Sequence, residues 1–81
     1  MPPPVHTPEE LGAILRAERR ARGLKQERAA MLSGVSTRLW NETERGKRPQ
    51  LGLDTAIRML NTIGLDMYIW SRANHSSGRA E

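Results

Sequence analysis

Cysteine is missing from this 81-residue sequence, and histidine occurs only twice. Without cysteine the chain can form neither disulfides nor thiolate zinc sites. His6 and His75 stand near opposite ends of the sequence, so a histidine metal site is not expected. We therefore expect no metal and no other cofactor.

Long apolar runs and catalytic motifs are missing as well. No run approaches the roughly 20 apolar residues that a membrane-spanning helix requires, and Met1-Pro2-Pro3-Pro4 lacks the charged start and apolar centre of a secretory signal. Acidic side chains and histidines do not recur at metal-site or triad spacing, and no glycine-rich phosphate loop occurs. These absences predict a cytoplasmic protein that is neither a membrane protein nor an enzyme.

Basic residues, by contrast, are plentiful. Thirteen Lys and Arg face nine Asp and Glu, which gives a formal charge of +4. A basic surface attracts phosphate over a long range, so a polyanion is a more natural partner than a neutral metabolite. A chain of this length forms one small domain that buries only about 60 to 65 per cent of its unfolded surface, which leaves little room for a deep catalytic cleft.

The pattern of apolar residues predicts a mainly α-helical domain over residues 8–70, between a disordered lead (1–7) and a disordered polar tail (71–81). Thr7-Pro8-Glu9-Glu10 has the composition of a helix start, and this amphipathic helix should end before Gly23. Another amphipathic helix should follow Gly52 and end at Gly64. Together with the helices expected between these two, the domain should contain four or five helices.

Residues 26–45 have the sequence form of a helix-turn-helix. A short helix should end at Ser33, because Gly34 tolerates the left-handed conformation that closes a helix. Ser36 can then cap the next helix. Ala29 and Ala30 are small enough for close helix packing. Met31 and Leu32 either both pack in the core, or one of them is exposed as part of a partner-binding patch.

The second helix of this motif divides into an inner and an outer face. Val35, Trp40 and Thr43 should face the core, and helical spacing places the polar residues opposite them. Arg can bind guanine, Asn can pair with adenine, and hydroxyls can bond bases or phosphates. A solvated polar face is the plain alternative, but the preceding turn and the net charge favour base readout. The predicted base-reading residues are Ser36, Thr37, Arg38 and Asn41, and the predicted phosphate contacts here are Arg45, Lys47 and Arg48.

Residues 65–70, LDMYIW, alternate and are rich in β-forming residues, which predicts a short strand. A single strand cannot pair its own backbone, so we expect it to pair with the same segment of a second copy. The predicted dimer strand comprises Leu65, Met67, Tyr68, Ile69 and Trp70. Such a dimer would place the two copies of the second motif helix about 34 Å apart, which is one turn of double-stranded DNA. The predicted partner is therefore double-stranded DNA with an operator built as an inverted repeat.

The chain from Leu11 to Gly64 resembles the Xre/Cro-type helix-turn-helix repressors of phages and bacteria. The resemblance is carried by Gly23-Leu24-Lys25-Gln26, Ala30, Gly34-Val35-Ser36 and Glu44-Arg45-Gly46-Lys47. It implies that Gln26 binds a phosphate, that residues 36–41 enter the major groove, and that Arg19 and Glu44 form a structural salt bridge. Lys25, Ala29, Trp40 and Thr43 depart from the family pattern, so the interior must be packed differently around the indole.

Within that family the chain looks like the HipB-type antitoxins, through residues 35–39, 44–47 and 60–67. This narrower resemblance implies a dimeric repressor that controls its own operon as part of a toxin-antitoxin system and binds a HipA-like kinase toxin. Two alternatives stay open: a stand-alone Xre-type regulator, and a protein-interaction module that uses the same fold as a scaffold.

Overall fold

A computed structural model describes residues 3–72, which form four helices and no β-strand. The helices are α1 (Pro8–Ala21), α2 (Gln26–Ser33), α3 (Thr37–Glu44) and α4 (Leu53–Thr62). The mainly helical class and the predicted helix starts and ends are confirmed. The predicted tail lies outside the described residues from position 73 onward, as do the first two residues of the lead.

The start of α1 is fixed by a reciprocal cap. Thr7 Oγ1 accepts a hydrogen bond from the Glu10 amide at 3.0 Å, and Glu10 Oε1 accepts from the Thr7 amide at 3.1 Å. The same carboxylate accepts from the amide of His6 at 2.6 Å. These bonds satisfy amides that a helix N-terminus leaves unpaired, and they also hold the end of the lead against α1.

The turn between α2 and α3 has the predicted geometry. Gly34 has φ +76°, in the left-handed region, and the amide of Val35 bonds back to Ala30 O at 3.0 Å. Ser36 Oγ then accepts from the Leu39 amide at 3.0 Å and caps α3. Because the turn has a closing bond on one side and a cap on the other, the direction of α3 is fixed relative to α2.

The core lies where α3 packs on α1 and α2, and α4 packs on α2. Trp40, on the inner face of α3, is fully buried. As the largest side chain in the core, it determines which face of α3 points to solvent. The buried apolar cluster consists of Leu15, Ala29, Ala30, Trp40, Met59, Leu60 and Ile63.

Gly12 allows α1 to lie unusually close to the C-terminal end of α3. A Cβ atom at this position would stand 2.4 Å from the carbonyl oxygen of Thr43 and 2.6 Å from that of Glu44. Both atoms belong to backbone and cannot move aside easily. Any residue other than glycine would therefore push the two helices apart.

Met31 and Leu32 are both exposed, at 61% and 51%. This result differs from both alternatives that the sequence left open. Ala29, Ala30 and Ser33 are the buried residues of α2, so small side chains occupy the positions that face the core. The two large apolar side chains consequently lie on the surface.

The predicted strand over residues 65–70 is absent from the single chain. Leu65 is held by its amide, which bonds to Leu60 O at 2.9 Å. Beyond it, the described part of the chain shows no backbone pairing for residues 66–70. The physical reason is the one that motivated the dimer: a lone extended segment has no partner for its own amides and carbonyls. Its apolar side chains are exposed, with Ile69 at 93%.

Features for crossing a membrane or binding a metal are not found in residues 3–72. The longest helix there, α1, has 14 residues, and none of the helices combines the length and apolarity that a bilayer crossing needs. Within the same range, no three acidic or histidine side chains are grouped so that they could hold a metal ion.

Candidate nucleic-acid interface

The outer face of α3 is polar and open to solvent. Arg38 is the most prominent residue, with its side chain 84% exposed, while Ser36 and Thr37 are exposed at the start of the helix. Asn41, one turn after Thr37, is half-buried. Three of the four predicted base-reading residues are therefore exposed at the start of α3, and Asn41 lies one turn further along.

Three exposed cations follow immediately after α3: Arg45, Lys47 and Arg48. The chain turns back at Gly46, which has φ +71°, and the Lys47 amide bonds to Glu42 O at 2.8 Å. A Cβ atom at Gly46 would stand 2.7 Å from Glu9 Cγ, so this turn also packs against the start of α1. The predicted phosphate-binding cations are thus held beside the outer face of α3.

Behind that face, the carboxylate of Glu44 receives hydrogen bonds from three side chains. Arg19 donates from Nε to Oε2 and from Nη2 to Oε1, the second at 3.0 Å. Gln26 Nε2 donates to Oε1 at 2.9 Å, and Trp40 Nε1 donates to Oε2 at 2.6 Å. The Glu44 side chain is only 1% exposed. Arg19 and Glu44 therefore form a buried, two-pronged ion pair that joins α1 to α3.

The pKa of Glu44 reflects two opposing effects. Burial is the largest single influence and raises the pKa, whereas the hydrogen bonds from Arg19, Gln26 and Trp40 lower it. Together the donors outweigh burial, so the pKa of this carboxyl lies below its ordinary value. Glu44 is charged at neutral pH, and the guanidinium of Arg19 compensates its charge on the core side of α3.

Gln26 connects this buried network to the outer face. Its Nε2 donates to Glu44, and its Oε1 accepts from Asn41 Nδ2 at 3.2 Å. The Gln26 amide nitrogen has two hydrogens, so one remains for the phosphate contact that the family resemblance implies. Asn41 likewise keeps its oxygen and one hydrogen. The side chain predicted to pair with adenine is therefore oriented by a bond that continues to the core.

Glu42 is the acidic residue on the outer side of α3. Its Oε2 accepts from Arg38 Nε at 3.1 Å, and its Oε1 accepts from Arg48 Nε at 2.7 Å. The hydrogen bonds from Arg38 and then Arg48 hold the pKa of Glu42 below its ordinary value, although partial desolvation opposes them. One carboxylate thus joins a predicted base-reading arginine to a predicted phosphate-binding one.

Sequence reasoning missed three of these contacts. Helical spacing places Trp40 in the core, but its indole also bonds to Glu44, and Glu42 bonds to two arginines that the sequence did not assign to it. The i,i+4 spacings of Trp40 with Glu44 and of Arg38 with Glu42 are a signal that was available. Helical spacing does not predict the contact between Arg48 and Glu42, because the two residues lie on either side of the turn at Gly46.

Comparison with known proteins agrees with this arrangement. Residues 10–67, more than half of the chain, match the family model described as "Helix-turn-helix domain". The chain is also 31% identical over 65 residues to a protein of Sinorhizobium fredii (strain NBRC 101917 / NGR234) named "Uncharacterized HTH-type transcriptional regulator y4mF". That alignment covers 80% of this chain and 84% of the relative. The chain therefore belongs to the helix-turn-helix domain family.

Proposed function

We propose that this protein is a sequence-specific DNA-binding regulator of transcription, and that α3 is its reading helix. The observation that carries the proposal is that α3 has a buried inner face and an exposed polar outer face. Trp40 and the Arg19–Glu44 pair fix its inner face, while Arg38 extends into solvent beside three exposed cations. Family membership and the name of the Sinorhizobium fredii relative support the same function.

The dimensions of α3 suit the major groove. An α-helix with its side chains is about 10 to 12 Å in diameter, and the groove is about 12 Å wide. Arg38 then supplies a donor fork for guanine, Asn41 an amide for adenine, and Ser36 and Thr37 hydroxyls for either. The phosphate contacts come from Gln26, Arg45, Lys47 and Arg48.

A dimer supplies the second reading helix. Within the predicted segment, residues 66–70 have unpaired backbone, and Tyr68, Ile69 and Trp70 are exposed. Pairing this segment with its copy satisfies the backbone and covers those side chains. The twofold axis between the copies then requires an operator built as an inverted repeat, with half-sites about one helical turn apart.

The proposal is tested by selecting duplexes from a randomised pool with the wild-type protein, followed by sequencing, a salt-dependent mobility shift and sedimentation of the free protein. We expect enrichment of one inverted repeat, binding that weakens steeply with salt, and a dimer in sedimentation. If no sequence is enriched from the pool and no duplex shows salt-dependent binding, the DNA-binding proposal is rejected. The protein-interaction module is then the remaining alternative. Enrichment of a single half-site by a monomer would remove the dimer but keep DNA reading.

The narrower proposal is that this regulator is the antitoxin of a toxin-antitoxin operon and binds a HipA-like kinase toxin. Its support is the resemblance to HipB-type antitoxins, together with two exposed apolar side chains suited to a protein partner, Met31 and Leu32. Coexpression with a kinase-sized reading frame next to the gene tests it. Copurification and relief of growth arrest would favour the antitoxin; an unrelated neighbour with no toxicity would favour a stand-alone regulator.

A further inference from the structure

An acidic side chain on a DNA-facing helix should weaken binding, because it stands close to phosphates of the same sign. Glu42 is such a residue, on the outer side of α3. It is not free in the folded chain: each carboxylate oxygen accepts one Nε hydrogen bond, from Arg38 at 3.1 Å and from Arg48 at 2.7 Å. The three side chains together carry a net charge of +1 instead of the +2 of two free arginines.

The atoms used in these bonds leave the arginines able to bind DNA. Each guanidinium has five N–H donors, and the fork that pairs with guanine or phosphate can be formed by the two terminal nitrogens. Within residues 3–72, Arg38 and Arg48 each bond to Glu42 through Nε, and their terminal nitrogens donate to no other protein group. Glu42 therefore restrains the stems of the two arginines while their forks stay available.

We propose that Glu42 is a specificity-determining residue of this interface, which orients Arg38 for a base edge and disfavours its contact with phosphates of unrelated DNA. This inference rests on the proposed function, because it assumes that α3 reads DNA. It assigns Glu42 a positioning role toward Arg38, and does not require Glu42 itself to touch a base.

The physical reason is that the two binding modes place different demands on Arg38. On a cognate site, Arg38 can bind guanine through its terminal nitrogens and keep its Nε bond to Glu42. On unrelated DNA no base accepts the fork, and Arg38 gains most by swinging to a phosphate. That movement breaks the bond to Glu42 and leaves a carboxylate beside the DNA backbone, so the carboxylate penalises unrelated DNA more than the cognate site.

The test compares Glu42→Gln with Glu18→Gln. Glu18 is a matched control, because it accepts an i,i+4 bond from Arg22 Nε at 2.8 Å and is similarly exposed, but its pair lies on α1. Both substitutions raise the net charge by one. Binding is measured over a salt series on the inverted repeat enriched by the wild type and on a scrambled duplex of the same length, with thermal unfolding to confirm the fold.

For Glu42→Gln we expect affinity for the scrambled duplex to rise by about threefold to tenfold and its salt slope to steepen by about 0.9, as one more phosphate contact forms. Affinity for the enriched repeat should change less than about twofold, so discrimination falls. Glu18→Gln should leave discrimination unchanged. When Arg38→Ala is already present, adding Glu42→Gln should alter discrimination less than about twofold, because the restrained arginine is gone.

Equal effects of Glu42→Gln and Glu18→Gln on the two affinities would overturn the inference, because Glu42 would then act only through the net charge of the protein. An equal gain on both duplexes for Glu42→Gln would overturn it as well. A wild-type protein that enriches no repeat, or binds the enriched and scrambled duplexes alike, would overturn the proposed function together with this inference. The wild-type titration thus separates the two failures.

Discussion

The indole Nε1 of Trp40 donates a 2.6 Å hydrogen bond to Oε2 of Glu44, one turn later on α3. The same indole is fully buried in the apolar core, while Glu44 is paired with Arg19 from α1. A single side chain therefore joins the hydrophobic core to the buried ion pair. Both act on the inner face of α3, so the orientation of this helix and the stability of the domain depend on the same contacts.

Replacing Trp40 by phenylalanine should destabilise the domain by roughly 2 to 4 kcal/mol, because it removes core volume and one donor to a buried carboxylate. The control is Leu53→Ala, at an exposed position outside the proposed dimer segment, for which a change within about 0.5 kcal/mol is expected. Urea unfolding followed by circular dichroism measures both. Equal losses in the free energy of unfolding for the two variants would show that Trp40 contributes no more to stability than an exposed side chain.

Acid should unfold the protein partly through Glu44. Its folded pKa is below the ordinary value of a glutamate, so the unfolded state binds this proton first as the pH falls. The stability that Glu44 contributes is therefore complete above the unfolded pKa and is lost as the pH falls through the folded pKa.

The variant Glu44→Gln should be less stable at neutral pH by about 3 to 5 kcal/mol, because the buried Arg19 loses its counter-charge. Its stability should also decline less between pH 5 and pH 3, a range set by about one unit on either side of the ordinary pKa. Thermal unfolding across that range measures the slope, with the exposed Glu27→Gln as control. An unchanged acid slope in Glu44→Gln would exclude Glu44 as a source of the acid sensitivity.

Gly12→Ala should destabilise the domain by about 1 to 3 kcal/mol, through overpacking of the α1–α3 contact. Helix propensity alone predicts that Gly12→Ala would stabilise the domain, since alanine is favoured over glycine by about 0.5 to 1 kcal/mol inside a helix. The exposed neighbour Ala13 supplies the control, because Ala13→Gly should show only the propensity term. If Gly12→Ala were stabilising in urea unfolding, the close approach of the two helices would be refuted.

Arg38→Ala and Lys47→Ala should weaken DNA binding in different ways. Loss of a guanine contact by Arg38→Ala should cost about 1 to 3 kcal/mol on the enriched repeat and relax preference at one base pair. Lys47→Ala should weaken enriched and scrambled duplexes alike and reduce the salt slope by about 0.9. Mobility shifts over a salt series distinguish them, and an equal loss on both duplexes for Arg38→Ala would remove Arg38 from the base-reading residues.

Ile69→Asp should convert the proposed dimer into a monomer, because it places a charge in the middle of the paired segment and costs the burial of a large apolar side chain. Met31→Asp is the control, since Met31 is also exposed but lies on α2. Sedimentation measures the oligomeric state at several concentrations. If Met31→Asp alone gave monomers, the interface would have to be moved from the C-terminal segment to α2.

Several features could be predicted because they depend on neighbours in the sequence. Thr7 and Ser36 cap the helices that follow them, and Gly34 closes α2, as local chemistry requires. The C-terminal segment marks the limit of this reasoning. Its alternation predicted a strand, but a strand depends on a partner, and the single chain shows none over residues 65–70.

The sequence by itself determined a mainly helical domain of four or five helices, the turn that joins α2 to α3, and the polar composition of the outer face of α3. Each follows from caps, glycines and helical period within a few residues. Only the tertiary structure decided that Gly12 seats α1 on α3, that Met31 and Leu32 are both exposed, and that Glu42 joins Arg38 to Arg48. The first two depend on how helices approach in space, which no local spacing encodes, because the core closes around Trp40 only in the folded chain. The contact of Glu42 with Arg48 depends on the turn at Gly46, which brings Arg48 back to the outer side of α3.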